Sequence, residues 1–379
     1  MRSRLYIVLI GVWVMLFQAC SNDALEKPEA SDTELATVNI RVSTRANDGI
    51  DSNMDANEGI KALRVIVLDE DWKILDNWYQ EGLGGTEGKT EEKNITLQLP
   101  RTKVRFLAIA NEKSMGRSFD TASLLEDNFL SYLTNGLKEI FNRAWDDATP
   151  AFPKTAVEIA QYGLPMTGVK GCHDIFSGEG EGTSDGEHHD YNCTLYQDEE
   201  NPFDLSGVTS INIEIPLVRC VSKLVVNVQN VMNEDLEISS VNFGRFYVNK
   251  VYYYAHQPLH LPYETVRNSH AFPFPEDKAF VVKADGTEQI LIAYFYPVAL
   301  PNANNNYRYS ISLKSNIAAT SNYQVFLKKT DSSSGTTDIG RNKMVVINCT
   351  VNVNKLMIND LILIADPWDD ATMDDIIFN

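Results

Sequence analysis

The chain has 379 residues, enough for two or three domains. Hydrophobic residues make up 44% of it, which supports a large core and excludes wholesale disorder. With 33 Lys and Arg against 52 Asp and Glu the net charge is −19, so the chain repels phosphate backbones and nucleic acid is not an expected partner.

Arg2 and Arg4 precede an apolar run from Leu5 to Phe17, too short for a comfortable membrane span. The run ends Leu16-Phe17-Gln18-Ala19-Cys20, with a small residue before a cysteine. This pattern reads as a lipoprotein signal peptide over residues 1–19, with Cys20 acylated and left as the new N-terminus. Phe17 and Gln18 are bulkier than is usual there, and an ordinary secretory signal with an incidental cysteine is the alternative. Acyl chains on Cys20 would hold the protein to a membrane at about 0.8 kcal/mol per buried CH₂. Residues 20–35 carry Asp23, Glu26, Glu29, Asp32 and Glu34 without periodicity and read as an acidic tether.

Strand signals with turn residues between them dominate the rest. Ala36, Val38, Ile40 and Val42 alternate with Thr37, Asn39, Arg41 and Ser43. Leu63–Leu68, Ile95–Leu99 and Val104–Ala110 follow. Further on come Ile211–Ile215, Leu217–Val228, Val241–Val251, Gln289–Tyr296, Tyr307–Leu313, Tyr323–Leu327 and Met344–Val353. The chain is mainly β, and many short strands of this spacing suit β-sandwiches. One amphipathic helix is predicted from Leu124, Leu125, Phe129, Leu130, Leu133, Leu137, Ile140 and Phe141, capped by Asp120 or Thr121 and lying on a sheet.

Cys172 and Cys193 bracket an excursion rich in Gly, Ser and acids, and in an exported protein a disulfide closing it is the favoured reading. Chain-entropy models credit such a closure with about 3 kcal/mol. Cys220 and Cys349 sit on the apolar parity of two strands and read as buried inert thiols. His173, Asp174, His188, His189 and Asp190 crowd the ends of the excursion, but their spacing fits no closed metal site, so neither metal nor cofactor is expected. No Gly-x-Ser-x-Gly, His-Glu-x-x-His or phosphate-binding loop is present, and no enzyme activity is expected. Leu164-Pro165-Met166-Thr167-Gly168 looks like a sortase signal but stands far from the C-terminus, without the apolar span and basic tail such a signal needs. Pro165 and Gly168 are taken as strand and turn punctuation. Tyr252, Tyr253 and Tyr254, with His256 and His260 nearby, offer either a sugar-stacking face or core packing.

In order, these features resemble the fimbrillin family, the type V pilins of the Bacteroidetes cell surface. The resemblance rests on the signal ending at Cys20, on strand 36–43 followed by Thr44-Arg45-Ala46, and on Leu164-Pro165-Met166-Thr167-Gly168. It rests also on Leu217-Val218-Arg219-Cys220-Val221-Ser222-Lys223-Leu224, where Ser222 replaces the usual Ala, on Gly340-Arg341-Asn342-Lys343, and on Trp368. The resemblance implies two β-sandwich domains of transthyretin-like topology, set here at 36–215 and 216–379, and no enzymatic activity. It implies export as a lipoprotein to the outer membrane and assembly into a fimbrium with other subunits by β-strand addition. It implies further that a trypsin-like protease cuts after an arginine, that the first strand leaves, and that a neighbour's strand fills the groove.

Within that scheme Arg45, before the small Ala46, is the expected processing site, and Val38, Ile40 and Val42 are spaced for burial in the exchanged position. The competing reading within the family is an anchor that keeps its strand and its lipid. Toward the C-terminus, Leu361 and Leu363 open an apolar stretch expected to donate a strand to the next subunit, or else to complete the chain's own sandwich. The competing reading is a carbohydrate-binding surface adhesin, with a host or bacterial surface ligand as partner.

Overall fold

The computed structural model describes residues 34–44, 58–84, 92–141, 145–146, 151–175, 190–191, 193–244, 247–248, 250–257, 270–274, 278–299, 309–316, 323–325, 328–329, 338–352 and 355–365. The signal segment, Cys20 and most of the tether lie outside them.

Period-two alternation builds the first sheet. Its strands are β1 (Leu35–Thr44), β2 (Ala62–Asp69), β3 (Ile74–Glu81), β4 (Glu92–Pro100), β5 (Lys103–Ala110), β6 (Met166–Lys170) and β7 (Ser210–Arg219). They lie in the order β3-β2-β5-β6-β7-β1-β4, with Phe203–Asp204 added beside β5. β1 runs parallel to β7, while β2, β3, β5 and β6 pair antiparallel. Ala36, Val38, Ile40 and Val42 point inward and are buried, as are Ile95, Leu97 and Leu99 of β4. With Leu63, Val65 and Ile215 they form one core cluster. β2 and β5 are buried on both faces, because Ile66, Leu68, Leu107 and Ile109 enter a second cluster on the far side. That is why both strands read as nearly continuous apolar runs instead of alternating.

Beyond β7 the chain turns at Cys220-Val221 into β8 (Ser222–Asn230) and continues through β9 (Leu236–Gly244), β10 (Thr287–Phe295), β11 (Tyr309–Ser315), β12 (Met344–Asn352) and β13 (Lys355–Ala365). β13, β12, β8 and β10 are consecutive neighbours in a six-stranded sheet, edged by Lys328–Lys329 and Lys154–Thr155. β8 and β12 are parallel. β9 and β11 form the centre of a five-stranded sheet. The larger core cluster draws on both sides of residue 215: Ile66, Leu107 and Trp145 share it with Leu224, Tyr294 and Val345.

Helix α1 spans Thr121–Asn135, and Asp120 caps it by accepting from the Ser123 N–H at 2.8 Å. The expected single helix through Phe141 is broken: from Gly136 to Ile140 the chain is a 3₁₀ turn. Gly136 has φ of 59°, and a Cβ there would stand 2.5 Å from the Trp72 carbonyl oxygen, so the backbone passes too close for any other residue. Leu124, Leu137, Ile140 and Phe141 are buried as expected, but Leu130 and Leu133 are exposed. The segment read as punctuation is instead strand β6. Gly168 sits inside it because a Cβ would meet the Pro216 carbonyl oxygen of β7 at 2.5 Å. Among the described residues no helix is long and apolar enough to cross a membrane.

Candidate functional site

The groove that holds β1 lies between β7 and β4. Parallel pairing with β7 runs from Thr37 against Ser210 to Thr44 against Leu217. On the inner side Val38, Ile40 and Val42 are at most 1% exposed, so all three expected exchange positions fill the first core cluster. On the outer side the strand is held by a polar ladder. Gln98 donates to Thr37 Oγ1 at 3.1 Å, Asn39 donates to Asn212 Oδ1 at 3.0 Å, and Thr96 donates to Asn39 Oδ1 at 3.0 Å. Arg41 donates to Glu92 Oε2 through Nε at 2.9 Å and Nη2 at 2.6 Å, and its pairing partner on β7 is Glu214. The hydrogen bond to Glu92 and that carboxylate's charge, with a smaller push from Glu214, hold the Arg41 guanidinium above its ordinary value. The strand is thus apolar inward and matched group by group outward.

Arg45 and Ala46 follow β1 directly but lie outside the described residues. Leu361 and Leu363 fall in β13, which pairs antiparallel with β12: Leu361 opposes Ile347 and Ile364 opposes Val345. Leu363 also pairs in parallel with Lys328. In this structure the stretch as far as Ala365 lies along the edge of β12 in the chain's own sheet, the second of the two arrangements expected for it.

Cys172 and Cys193 are separate thiols, not the expected disulfide. What ties them is Asp198. Its carboxylate accepts from the N–H of Gly171 at 3.1 Å and of Cys172 at 3.0 Å, while its own N–H donates to the Cys193 carbonyl at 3.1 Å. The excursion's ends are thereby joined by hydrogen bonds. Two of the residues there are engaged: Asp174 pairs with Arg105, and His173 Nδ1 lies 3.1 Å from the Asp198 carbonyl. Among the described residues no group of three metal-ligating side chains gathers; His188 and His189 lie outside them. Tyr253 and Tyr254 are core residues, with ring centroids 5.1 Å from Phe119 and 4.8 Å from Phe141, so they present no stacking face to a sugar.

Three of the motifs that carried the sequence resemblance, residues 164–168, 217–224 and 340–343, meet in one buried polar corner. The N–H of Cys220 donates to the Pro165 carbonyl at 2.8 Å, the N–H of Asn342 to Val221 at 2.9 Å and the N–H of Lys223 to Lys343 at 2.8 Å. Arg219 donates to Asn342 Oδ1 at 3.0 Å. Arg341 and Thr167 both donate to the Tyr253 carbonyl, at 2.7 Å and 2.6 Å. Sequence reasoning missed the centre of this corner, Glu58. Fully buried, it accepts from Lys223 Nζ and from the Tyr294 hydroxyl, each at 2.7 Å, with Arg219 at 3.9 Å. A single glutamate in a polar stretch gives no periodic signal; only the two buried cations of the later motif call for a counter-charge. Glu58 thus fixes the chain just before β2 to the β7–β8 corner.

No family model and no curated protein matches this chain. Solved structures are similar in fold. The tip fimbrial protein Mfa3 from Porphyromonas gingivalis, with a C-terminal truncation, has a TM-score of 0.48 and 12% identity over 87% of this chain and 100% of that one. A cell adhesion protein, so described provisionally, from Parabacteroides distasonis has 0.46 and 14% over 88% and 92%. A fimbrilin from Porphyromonas gingivalis has 0.44 and 10% over 85% and 91%. By their names these neighbours are two fimbrial proteins and a cell adhesion protein.

Proposed function

We propose that this chain is a structural subunit of a cell-surface fimbria, exported as a lipoprotein through Cys20, cut after Arg45 and assembled by strand exchange. The observation that carries the reading is β1 itself. It is the N-terminal strand of the sheet, it pairs on both edges, and it places Val38, Ile40 and Val42 in a buried core shared with five other strands. At about 1.5–3 kcal/mol per buried side chain, those three residues supply about 5–9 kcal/mol. Removing such a strand exposes unpaired backbone groups and an apolar trench, which a neighbour's strand satisfies by the same ladder. Glu58 supports the scheme, because its contacts anchor the chain beyond Arg45 independently of β1. On this reading the two sandwich halves are 36–215 and 216–379, the partners are other fimbrial subunits, and the location is the outer membrane and the fimbrium.

A second reading, an anchor subunit that keeps β1 and its lipid, is favoured by the complete pairing of β1 within its own chain. Mass spectrometry of surface material separates the two: a start at Ala46 supports the exchanging subunit, and an acylated Cys20 assigns the anchor. A chain cut after Arg45 that stays monomeric among its partner subunits refutes strand exchange.

A further inference from the structure

We propose that the β1 groove selects as its occupant a strand of a different subunit that carries a basic residue level with Glu92 and Glu214, and rejects the C-terminal strand of a second copy of this chain. This rests on the strand-exchange reading above. Arg41 stands between two carboxylates, hydrogen-bonded to Glu92 on β4 and level with Glu214 on β7. The other outward groups that touch β1, Asn212, Thr96 and Gln98, are neutral. When β1 leaves, two acids face one another across an empty strand position, roughly 9.5 Å wide at two strand spacings. The groove's outer rim then carries one charge requirement, and it is for a cation.

The chain's own C-terminal segment does not meet it. Residues 356–379 contain six aspartates and neither lysine nor arginine. The groove needs four apolar side chains at alternate positions, as in Ala36, Val38, Ile40 and Val42, with a cation at the place of Arg41. No register of residues 355–379 provides both. Placing Lys355 at the cation's level sends Thr350, Asn352 and Asn354 inward. Placing Leu361, Leu363 and Ala365 inward from the start of the groove sets Asp366 between the two glutamates and Pro367 in the ladder. Like charges facing one another across strands oppose pairing, and proline removes a ladder donor.

The test uses the full chain with a specific protease site inserted between Arg45 and Glu58, nicked so that β1 is held by pairing alone. Labelled peptides of residues 34–45, the same with Arg41→Glu, and residues 355–379 compete for the groove, read by fluorescence anisotropy. The residue 34–45 peptide should bind. The Arg41→Glu peptide should bind about tenfold more weakly at low ionic strength, and the difference should close near 1 M salt, where the Debye length is about 3 Å. Residues 355–379 should not compete, and Glu92→Lys with Glu214→Lys should invert the preference. Equal binding of the two 34–45 peptides, or binding of residues 355–379, overturns the selection and leaves strand exchange standing. Failure of every peptide to enter overturns strand exchange itself. Should nicking unfold the chain, deuterium exchange of the β1 amides in the intact chain replaces it. Arg41→Glu should then exchange about tenfold faster than Arg41→Gln at low salt, by the same charge contacts, and equal rates overturn the selection.

Discussion

Ile40→Ala is the sharpest probe of how β1 is held. Ile40 is 1% exposed and packs with Val38, Val42, Leu97 and Ile215 in the first core cluster. Three carbons are lost at about 0.8 kcal/mol each, and the cavity left behind raises the cost to about 3–4 kcal/mol. Against a total stability of about 5–15 kcal/mol that is a large share. The adjacent outward residue gives the control. Asn39→Ala removes two exposed hydrogen bonds and should cost no more than about 1 kcal/mol. Hydrogen exchange followed by mass spectrometry reads both. Amides of β1 and its neighbours β4 and β7 should exchange roughly 100- to 1,000-fold faster in Ile40→Ala, since each 1.4 kcal/mol is a factor of ten. Amides of β8 and β12 should change much less, because their side chains belong to the other cluster. Equal effects of the two substitutions, or uniform acceleration through both sheets, would refute the assignment of β1 as the strand that closes the first core.

Glu58→Ala should lower stability by about 3–5 kcal/mol by leaving Lys223 buried without its carboxylate, while Glu58→Leu with Lys223→Met should recover much of it, as thermal melting would show. Gly168→Ala should destabilise strongly because its Cβ meets the Pro216 carbonyl oxygen at 2.5 Å; a melting temperature within a degree of the parent would contradict the close approach. Burial raises the thiols of Cys172 and Cys220 and pushes Cys349 up to about 12, while Cys193 is only half-buried. Maleimide at neutral pH should therefore label Cys193 first, and the other three only on unfolding. A count of two fewer thiols in the denatured chain would restore the Cys172–Cys193 bridge. A buried neutral thiol also sets a sign with pH: the Cys349 contribution is complete below the unfolded value of about 8.5 and is lost as pH rises toward 12.

Strands with one wet face were legible because alternation encodes them directly: β1, β4 and β12 fall within a few residues of their expected spans. Elements whose reason lies elsewhere in the fold were not. β3, Ile74–Glu81, has no clean period because it is an edge strand with both faces half covered. β6 contains a glycine, which locally signals a turn, and only the approach of Pro216 explains it as strand. The helix was read through Gly136 because Leu137 and Ile140 keep the period, although they are buried from a 3₁₀ turn. The same limit applies at the site. Val38, Ile40 and Val42 announce themselves by parity, whereas Glu92, Glu214 and Glu58 acquire meaning only from what the fold sets opposite them.

The two faces of β1 divide one task. Apolar burial is generous but repeats every two residues. A shift by one residue would send Thr37, Asn39 and Arg41 into the core and is excluded by their desolvation. A shift by two keeps the apolar parity, so the core alone discriminates weakly against it. The outer ladder does discriminate: such a shift removes Asn39 from Asn212 and Thr96, and takes Arg41 from between Glu92 and Glu214. Each outer contact is exposed and individually small, a few tenths to about 1 kcal/mol. Their value lies in failing together when the register is wrong. Replacing Asn39 and Arg41 by Ser should therefore leave β1 in its groove, with stability lowered by about 1–2 kcal/mol from those contacts, but should admit a second, two-residue-shifted pairing. Cross-linking through a cysteine pair placed at Thr37 and Ser210 reads this directly. With that pair in place, the otherwise unchanged chain should form the bridge as one species, and the double substitution of Asn39 and Arg41 should lose a fraction of it; complete bridging in both would show that the core sets the register unaided.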